Sequence, residues 1–225
     1  MSALVPTVSN KSRRADPRVR CYAEEVPPPI TPEEAARAHL LASAQAQRAA
    51  ADGAAPAIAA AAALLVESFR ARGKLLLCGN GGSAADCQHL AAELVAGHKP
   101  GQDRPALPAV ALTTDSSLLT AHANDSSFES VFARQVQALG APGDVLLCIS
   151  TSGRSPNVLL AAEAARARSM KVVALTGADG PLAGLGHVAI RVPSTDTQHI
   201  QETHLAIEHL ICWFVERDLF ASLKP

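Results

Sequence analysis

The sequence predicts a single α/β domain, a five-stranded parallel sheet flanked by helices, with further helices on its N-terminal side. Three observations predict it. Short, continuously apolar runs recur from residue 74 onward and alternate with longer helical stretches, the pattern of parallel strands covered on both faces. The run Val145-Leu146-Leu147-Cys148-Ile149 leads into Ser150-Thr151-Ser152-Gly153-Arg154-Ser155 and then into an Ala-rich stretch from Pro156 to Ala167. A strand, a hydroxyl-rich turn and a helix N-terminus in that order bring backbone N–H groups, hydroxyls and the positive end of a helix dipole to one spot, which suits an anion. A second turn of similar design, Cys78-Gly79-Asn80-Gly81-Gly82-Ser83, follows Lys74-Leu75-Leu76-Leu77. Two such turns in one sheet imply a small phosphorylated ligand held at the carboxyl ends of the strands.

Residues 1–30 mix basic side chains (Lys11, Arg13, Arg14, Arg18, Arg20) with the run Pro27-Pro28-Pro29 and show little periodicity, so they read as a mobile N-terminal arm. Asp16, Glu24 and Glu25 interrupt the basic character and weigh against an organelle-targeting peptide. The segment 31–72 reads as N-terminal helices. Thr31 is an N-cap, Pro32 takes the first helical position and Glu34 closes a capping box. This first helix is expected to stop near Ala51, where Asp52-Gly53 breaks it, and a second to run from Pro56 to Arg72. The α/β core is expected over 73–220, with 31–220 forming one structural unit. Its strands are predicted at 74–78, 109–112, 144–149, 171–176 and 188–192, and its helices near 83–96, 116–123, 127–139, 155–169 and 197–219. Neither an internal repeat nor a second domain is evident.

The chain has 225 residues, 48% of them hydrophobic, which is enough to bury a full core in one domain. Its 20 Lys+Arg against 21 Asp+Glu give a formal charge of −1, and only 3% of residues are aromatic. Neither number offers an electrostatic pull toward nucleic acid or acidic membrane, or a base-stacking surface. The cysteines Cys21, Cys78, Cys87, Cys148 and Cys212 are odd in number and lack C-x-x-C spacing, so they read as thiols in a reducing compartment. No apolar run is expected to reach the ~20 residues of a membrane span, and no secretory signal is evident, so the protein is expected in the cytoplasm.

Candidate chemistry lies on two predicted helices. His89 and Glu93, four residues apart after the glycine turn, share a face that can bind a divalent metal or move a proton; an ordinary surface pair has the same spacing. The last helix carries His199, Gln201, Glu202, His204, Glu208 and His209. Spacing allows His204/Glu208 as a second i, i+4 pair, or Gln201 and His209 converging from one ridge, and does not choose between them. Asn124-Asp125 reads by default as a cap for the following helix, with a sugar hydroxyl contact as the alternative. Without G-x-G-x-x-G after the first strand or G-x-x-x-x-G-K-[ST] anywhere, the chain has neither a dinucleotide nor a nucleoside triphosphate signature.

Taken together, CGNGGS (78–83), QHLAAEL (88–94), AND (123–125), ISTSGRS (149–155), ALTG (174–177) and IQETHLAIEH (200–209) resemble the sugar isomerase (SIS) domain family, and within it the phosphoheptose isomerases. The resemblance covers roughly residues 36–220. It implies an aldose–ketose isomerase that converts sedoheptulose 7-phosphate to D-glycero-D-manno-heptose 7-phosphate through a metal-assisted enediolate. It also implies one zinc per subunit on His89, Glu93, Gln201 and His209, with Glu93 as general base and His209 as general acid. Substrate contacts would come from Asn80, Gly81, Gly82, Ser83, Glu93, Asn124, Asp125, Ser150, Thr151, Ser152, Ser155 and Gln201. The family assembles as homotetramers with sites at subunit interfaces. On this resemblance His204 and Glu208 become structural or surface positions. Two departures stand out: the N-terminal arm is longer than the family core requires, and Gln198 occupies a position where similar enzymes carry an acidic residue. Within enzymes, an isomerase for another sugar phosphate is the alternative, and the strongest rival from another class is a binding protein. A non-catalytic binding protein of the kind that associates with a bacterial replication initiator resembles the same turns, but the retained Glu93 and His209 favour an enzyme.

Overall fold

The computed structural model describes residues 30–97 and 104–220. The arm expected at 1–30, with Cys21, therefore lies outside the described residues except for Ile30. By compactness the chain divides into Met1–Arg37 and Ala38–Pro225. In the described part of the first unit, the Thr31 N–H donates to Glu34 Oε2 at 2.9 Å and the Glu34 N–H to Thr31 Oγ1 at 3.2 Å. This is the reciprocal capping box read from the sequence.

The elements run α1 (Pro32–Arg70), β1 (Leu75–Cys78), α2 (Gly82–Ala96), β2 (Ala109–Ala111), α3 (Ser116–Asp125), a short 3-10 turn (Phe128–Ser130), α4 (Val131–Leu139), β3 (Val145–Ser150), α5 (Pro156–Ala167), β4 (Lys171–Thr176), α6 (Leu182–Leu185), β5 (Val188–Arg191) and α7 (Thr197–Phe220). The five strands form one parallel sheet in the order β2-β1-β3-β4-β5. Every predicted strand is present within two residues of its expected ends, because each is a short apolar run that only a two-sided core can bury. Alternate side chains serve two cores. Leu75, Leu77, Val145, Leu147, Ile149, Val173 and Leu175 cluster with α1, α2 and α7. Leu76, Leu146, Cys148, Val172 and Ala174 cluster with α4, α5 and α6. This is the period-2 alternation of a strand covered on both faces.

The helix break expected at Asp52-Gly53 does not occur; α1 is continuous through Gly53 and Pro56. Its buried residues Ala46, Ala50, Ala54, Ile58, Ala61 and Leu65 recur every three or four positions straight across the glycine, so packing outweighs the ~1 kcal/mol that glycine costs a helix. Gly53 is exposed, with nothing within 4 Å of where a Cβ would stand. Pro56 is exposed too, and its missing N–H deprives only the carbonyl of Asp52, itself at the surface where water can serve it.

Helix α1 is also long and apolar enough to cross a bilayer by length and composition alone, contrary to the expectation that no run approaches that length. Alanine supplies much of that hydropathy, and Ile58, Ala61, Leu65 and Val66 lie in the core with Leu75 and Val145. The helix is thus in part a core helix, with 39% of its most apolar stretch buried.

The strand order has one consequence for the site. The chain leaves β1 toward β2 on one side and returns to β3 on the other, so β1 and β3 flank the topological switch point of the sheet, where open α/β folds bind ligands. The two loops singled out in the sequence follow those two strands.

Candidate functional site

The glycine turn after β1 is shaped by close approaches. Gly79 is buried against the backbone of Ser83, which a Cβ would strike, and Gly81 adopts φ +57°, a left-handed conformation that favours glycine. Gly82 begins α2, and the side chain of Gln201 from α7 fills the space its own Cβ would need. The Asn80 amide pairs reciprocally with that of Asn157 at the start of α5, Nδ2 donating to Oδ1 at 2.9 Å in one direction and 2.8 Å in the other. This amide pair ties the loop after β1 to the loop after β3.

The hydroxyl-rich loop is held in a tight form. Gly153 has φ +62°, is buried, and leaves no room for a Cβ beside Thr176 Oγ1 and the Asp179 carbonyl. The Gly177 N–H donates to the Thr151 carbonyl at 3.1 Å and the Leu182 N–H to that of Gly153 at 3.1 Å, so the loop after β4 braces it. Ser150 and Ser155 share a hydroxyl hydrogen bond at 3.1 Å, and Ser152 Oγ accepts from the Arg154 N–H at 3.2 Å. Ser155 is the N-cap of α5 but makes no side-chain capping bond, so the first turn's N–H groups are not consumed by their own cap. Hydroxyls and helix N-terminus thus sit together as an anion site requires.

The second centre is where α2 packs on α7. His89 and His209, 120 residues apart, face one another with Nε2 atoms 2.9 Å apart and rings edge-to-face at 77°. One ring must be neutral for the two nitrogens to share a proton at that distance. Glu93 lies one turn beyond His89 and is half-buried. Its charge reaches Cys212, three residues past His209, whose thiol is pushed up first by burial and then by Glu93. Glu93 therefore belongs to the same α2–α7 seam. Gln201, filling the space over Gly82, hydrogen-bonds to Asp86. Burial raises the Asp86 carboxyl, while the Gln201 bond and the His89 charge pull the other way. Of the four zinc donors implied by the resemblance, the structure brings together the two imidazoles, a pairing that suits zinc; Gln201 lies two turns before His209 on α7 and Glu93 one turn beyond His89 on α2.

Asn124 and Asp125 are exposed at the end of α3, with Asn124 Nδ2 donating to Asp125 Oδ1 at 2.7 Å. No hydrogen bond joins either to another candidate. Nor do they cap the next helix, since Ser127 Oγ accepts from the Glu129 N–H at 3.0 Å and does that work. Three contributors had no sequence signal of their own. Asp86 sits one turn before His89, Asn157 completes the amide pair, and Arg104 donates from Nη2 to the Glu93 carbonyl at 2.8 Å, from Nη1 to that of Leu94 at 2.9 Å and from Nε to Glu216 Oε1 at 2.6 Å.

His204 and Glu208, the competing pair on α7, are fully buried, and no side-chain nitrogen or oxygen of either has a hydrogen-bond partner. They are interior residues, not surface ones. Burial raises Glu208 to about 9, helped by the Asp86 charge, and holds His204 down to about 4 against a smaller opposing pull from the Thr176 backbone. A histidine kept neutral in the folded state contributes stability that is present above its unfolded value of 6.5 and lost as pH falls toward 4. His204→Leu is therefore expected to lose less stability than the parent between pH 7 and pH 5, by on the order of 2 kcal/mol. Urea unfolding at the two pH values measures this, and parallel curves would show that His204 is not the group responsible.

The SIS domain profile matches residues 40–177. Phosphoheptose isomerase from Thiobacillus denitrificans is 56% identical over 180 residues, 77% of this chain and 89% of that protein. Among solved structures, phosphoheptose isomerase from Neisseria gonorrhoeae superposes with a TM-score of 0.78 at 44% identity, covering 83% of this chain and 99% of that one. The phosphoheptose isomerase from Francisella tularensis gives 0.80 at 40% identity, covering 84% and 100%.

Proposed function

The chain belongs to the SIS domain family, within it to the phosphoheptose isomerases, and on that premise we propose that it converts sedoheptulose 7-phosphate to D-glycero-D-manno-heptose 7-phosphate. The enzyme is an aldose–ketose isomerase of a sugar phosphate. The observation that carries the finer reading is the meeting of His89 with His209 at the α2–α7 seam, beside Glu93 and across the switch point from the serine loop.

The terminal phosphate sits in the loop Ser150–Ser155, where hydroxyls from Ser150, Thr151, Ser152 and Ser155 and the N-terminus of α5 meet its charge. Holding that end orients the other toward the seam, which lowers the entropic part of the barrier. The turn at Asn80, Gly81, Gly82 and Ser83 lines the approach, and Asn124 and Asp125 are proposed to contact sugar hydroxyls. Glu93 removes the proton from C1 of the ketose and returns it to C2, through an enediolate. His209 exchanges the proton between the two oxygens, leaving a carbonyl at C1 and a hydroxyl at C2. Such general acid–base steps contribute ~10²–10⁴-fold each. His89, Glu93, Gln201 and His209 would hold one zinc per subunit, which when bound supplies Lewis acidity toward the sugar's carbonyl and hydroxyl oxygens.

Self-association as a homotetramer in the cytoplasm completes the proposal. The exposed apolar side chains Leu205, Leu210 and Trp213 on α7 and Leu40 and Leu41 on α1 support association, and the four free thiols among the described residues, all buried, suit a reducing compartment. Purified, metal-analysed protein incubated with sedoheptulose 7-phosphate tests the reading by aldose formation; no product at any metal loading refutes it. Ser152→Ala is expected to raise KM for the phosphorylated sugar by roughly tenfold with little change in kcat. An unchanged KM would remove Ser152 from the phosphate site.

A further inference from the structure

A second group of metal-binding side chains lies apart from the His89–His209 pair. His39 from α1 and His199 and Glu202 from α7 each offer one donor atom, and these atoms all lie within 4.8 Å of one another. His39 Nε2 is 2.9 Å from Glu202 Oε1, and His39 Nδ1 is 3.3 Å from His199 Nε2. The three residues are brought together across 160 or more positions of sequence, by the packing of two helices.

We propose that His39, His199 and Glu202 form a second cation site, specific for a borderline divalent transition metal such as Zn²⁺, Co²⁺ or Ni²⁺. Two imidazoles and a carboxylate are the donor set such ions prefer, whereas Ca²⁺ and Mg²⁺ require oxygen donors. The surroundings are those of a ligand shell. Ser43 hydrogen-bonds to Glu202, and Asp196 Oδ1 lies 3.9 Å from His199 Nδ1, close enough to help orient the ring. Side-chain exposure of 38% for His39, 40% for Glu202 and 14% for His199 leaves an entry path and a place for water to complete the coordination. Glu202 also lines, with Asp86, Gln198, Gln201 and Leu205, a cavity of about 430 Å³. An ion here therefore clamps α1 to the first turns of α7 at the rim of the cavity that Gln201 enters. Its role is to fix that wall, and it takes no part in proton transfer.

The test uses full-length protein stripped with a chelator and titrated with Co²⁺ alone, followed by calorimetry, visible absorption and metal analysis after desalting. The parent protein is expected to bind two equivalents per chain. His39→Ala and His199→Ala should each bind one, with affinity for the other weakened roughly a hundredfold or more. His89→Ala should retain the equivalent that His39→Ala loses, so the two sites are scored separately. Circular dichroism of each variant checks that it is folded, and His39→Gln provides a milder substitution of the same ligand. Two equivalents retained in both His39 variants would overturn the proposal. So would a parent protein that binds a single equivalent lost in His89→Ala but not in His39→Ala, a result that leaves the isomerase reading intact.

Discussion

Glu93→Gln is expected to reduce isomerisation of sedoheptulose 7-phosphate by roughly 10³-fold or more while circular dichroism and thermal unfolding stay close to those of the parent. The amide is nearly isosteric with the carboxylate but cannot accept a carbon-bound proton at neutral pH, and it is a poorer metal donor. The fold should tolerate the change because Glu93 is half-buried at the edge of the seam, and its helix is held from the other side by Leu90 and Leu94, both fully buried. Metal content must be measured beside rate, since Glu93 is assigned both to the ligand set and to the base. A variant that retains metal yet loses turnover isolates the proton-transfer role. Normal turnover by Glu93→Gln would remove it from the mechanism.

Arg104→Met should lower the unfolding free energy by about 3–5 kcal/mol, the largest stability effect expected of a single substitution near the site. The Arg104 side chain is 4% exposed and that of Glu216 9%, so this ion pair has been taken out of water. The same guanidinium also donates to the carbonyls of Glu93 and Leu94 near the end of α2, adding to the backbone N–H bonds that those carbonyls accept from Gly97 and Leu107. Methionine keeps the length of the side chain and removes every donor. Urea unfolding measures the loss. The double variant Arg104→Met/Glu216→Leu should recover part of it, because the penalty of a buried carboxylate deprived of its guanidinium disappears with the carboxylate. A single variant within 0.5 kcal/mol of the parent would mean that the pair merely offsets its own desolvation.

The core strands could be read because each is a short apolar run between turn residues, and no surface helix gives that pattern. The N-terminal helix could not be divided correctly. Glycine and proline punctuate a sequence only when tertiary packing does not override them, and the stripe through Ala50, Ala54 and Ile58 overrides both. On α7 the ambiguity between Gln201/His209 and His204/Glu208 was real, since both pairs lie on evenly spaced ridges of one helix. Packing separates them. His204 and Glu208 face the interior, while Gln201 and His209 border the buried stripe, where α2 and a ligand can reach them. The metal-capable trio of His39, His199 and Glu202 was equally invisible, because its members come from the two ends of the chain.

The amino-acid sequence alone determined the number of strands, their order along the chain and the two loops proposed to receive a phosphate. Those properties reside in contiguous residues, whose hydrophobic period and turn chemistry act locally. Tertiary structure decided which strands are neighbours, so that the loops after β1 and β3 meet through Asn80 and Asn157, and which side of α7 turns toward α2. Both depend on helices crossing over a sheet and burying one stripe each. Local spacing does not encode that choice, because every ridge of a helix repeats with the same period.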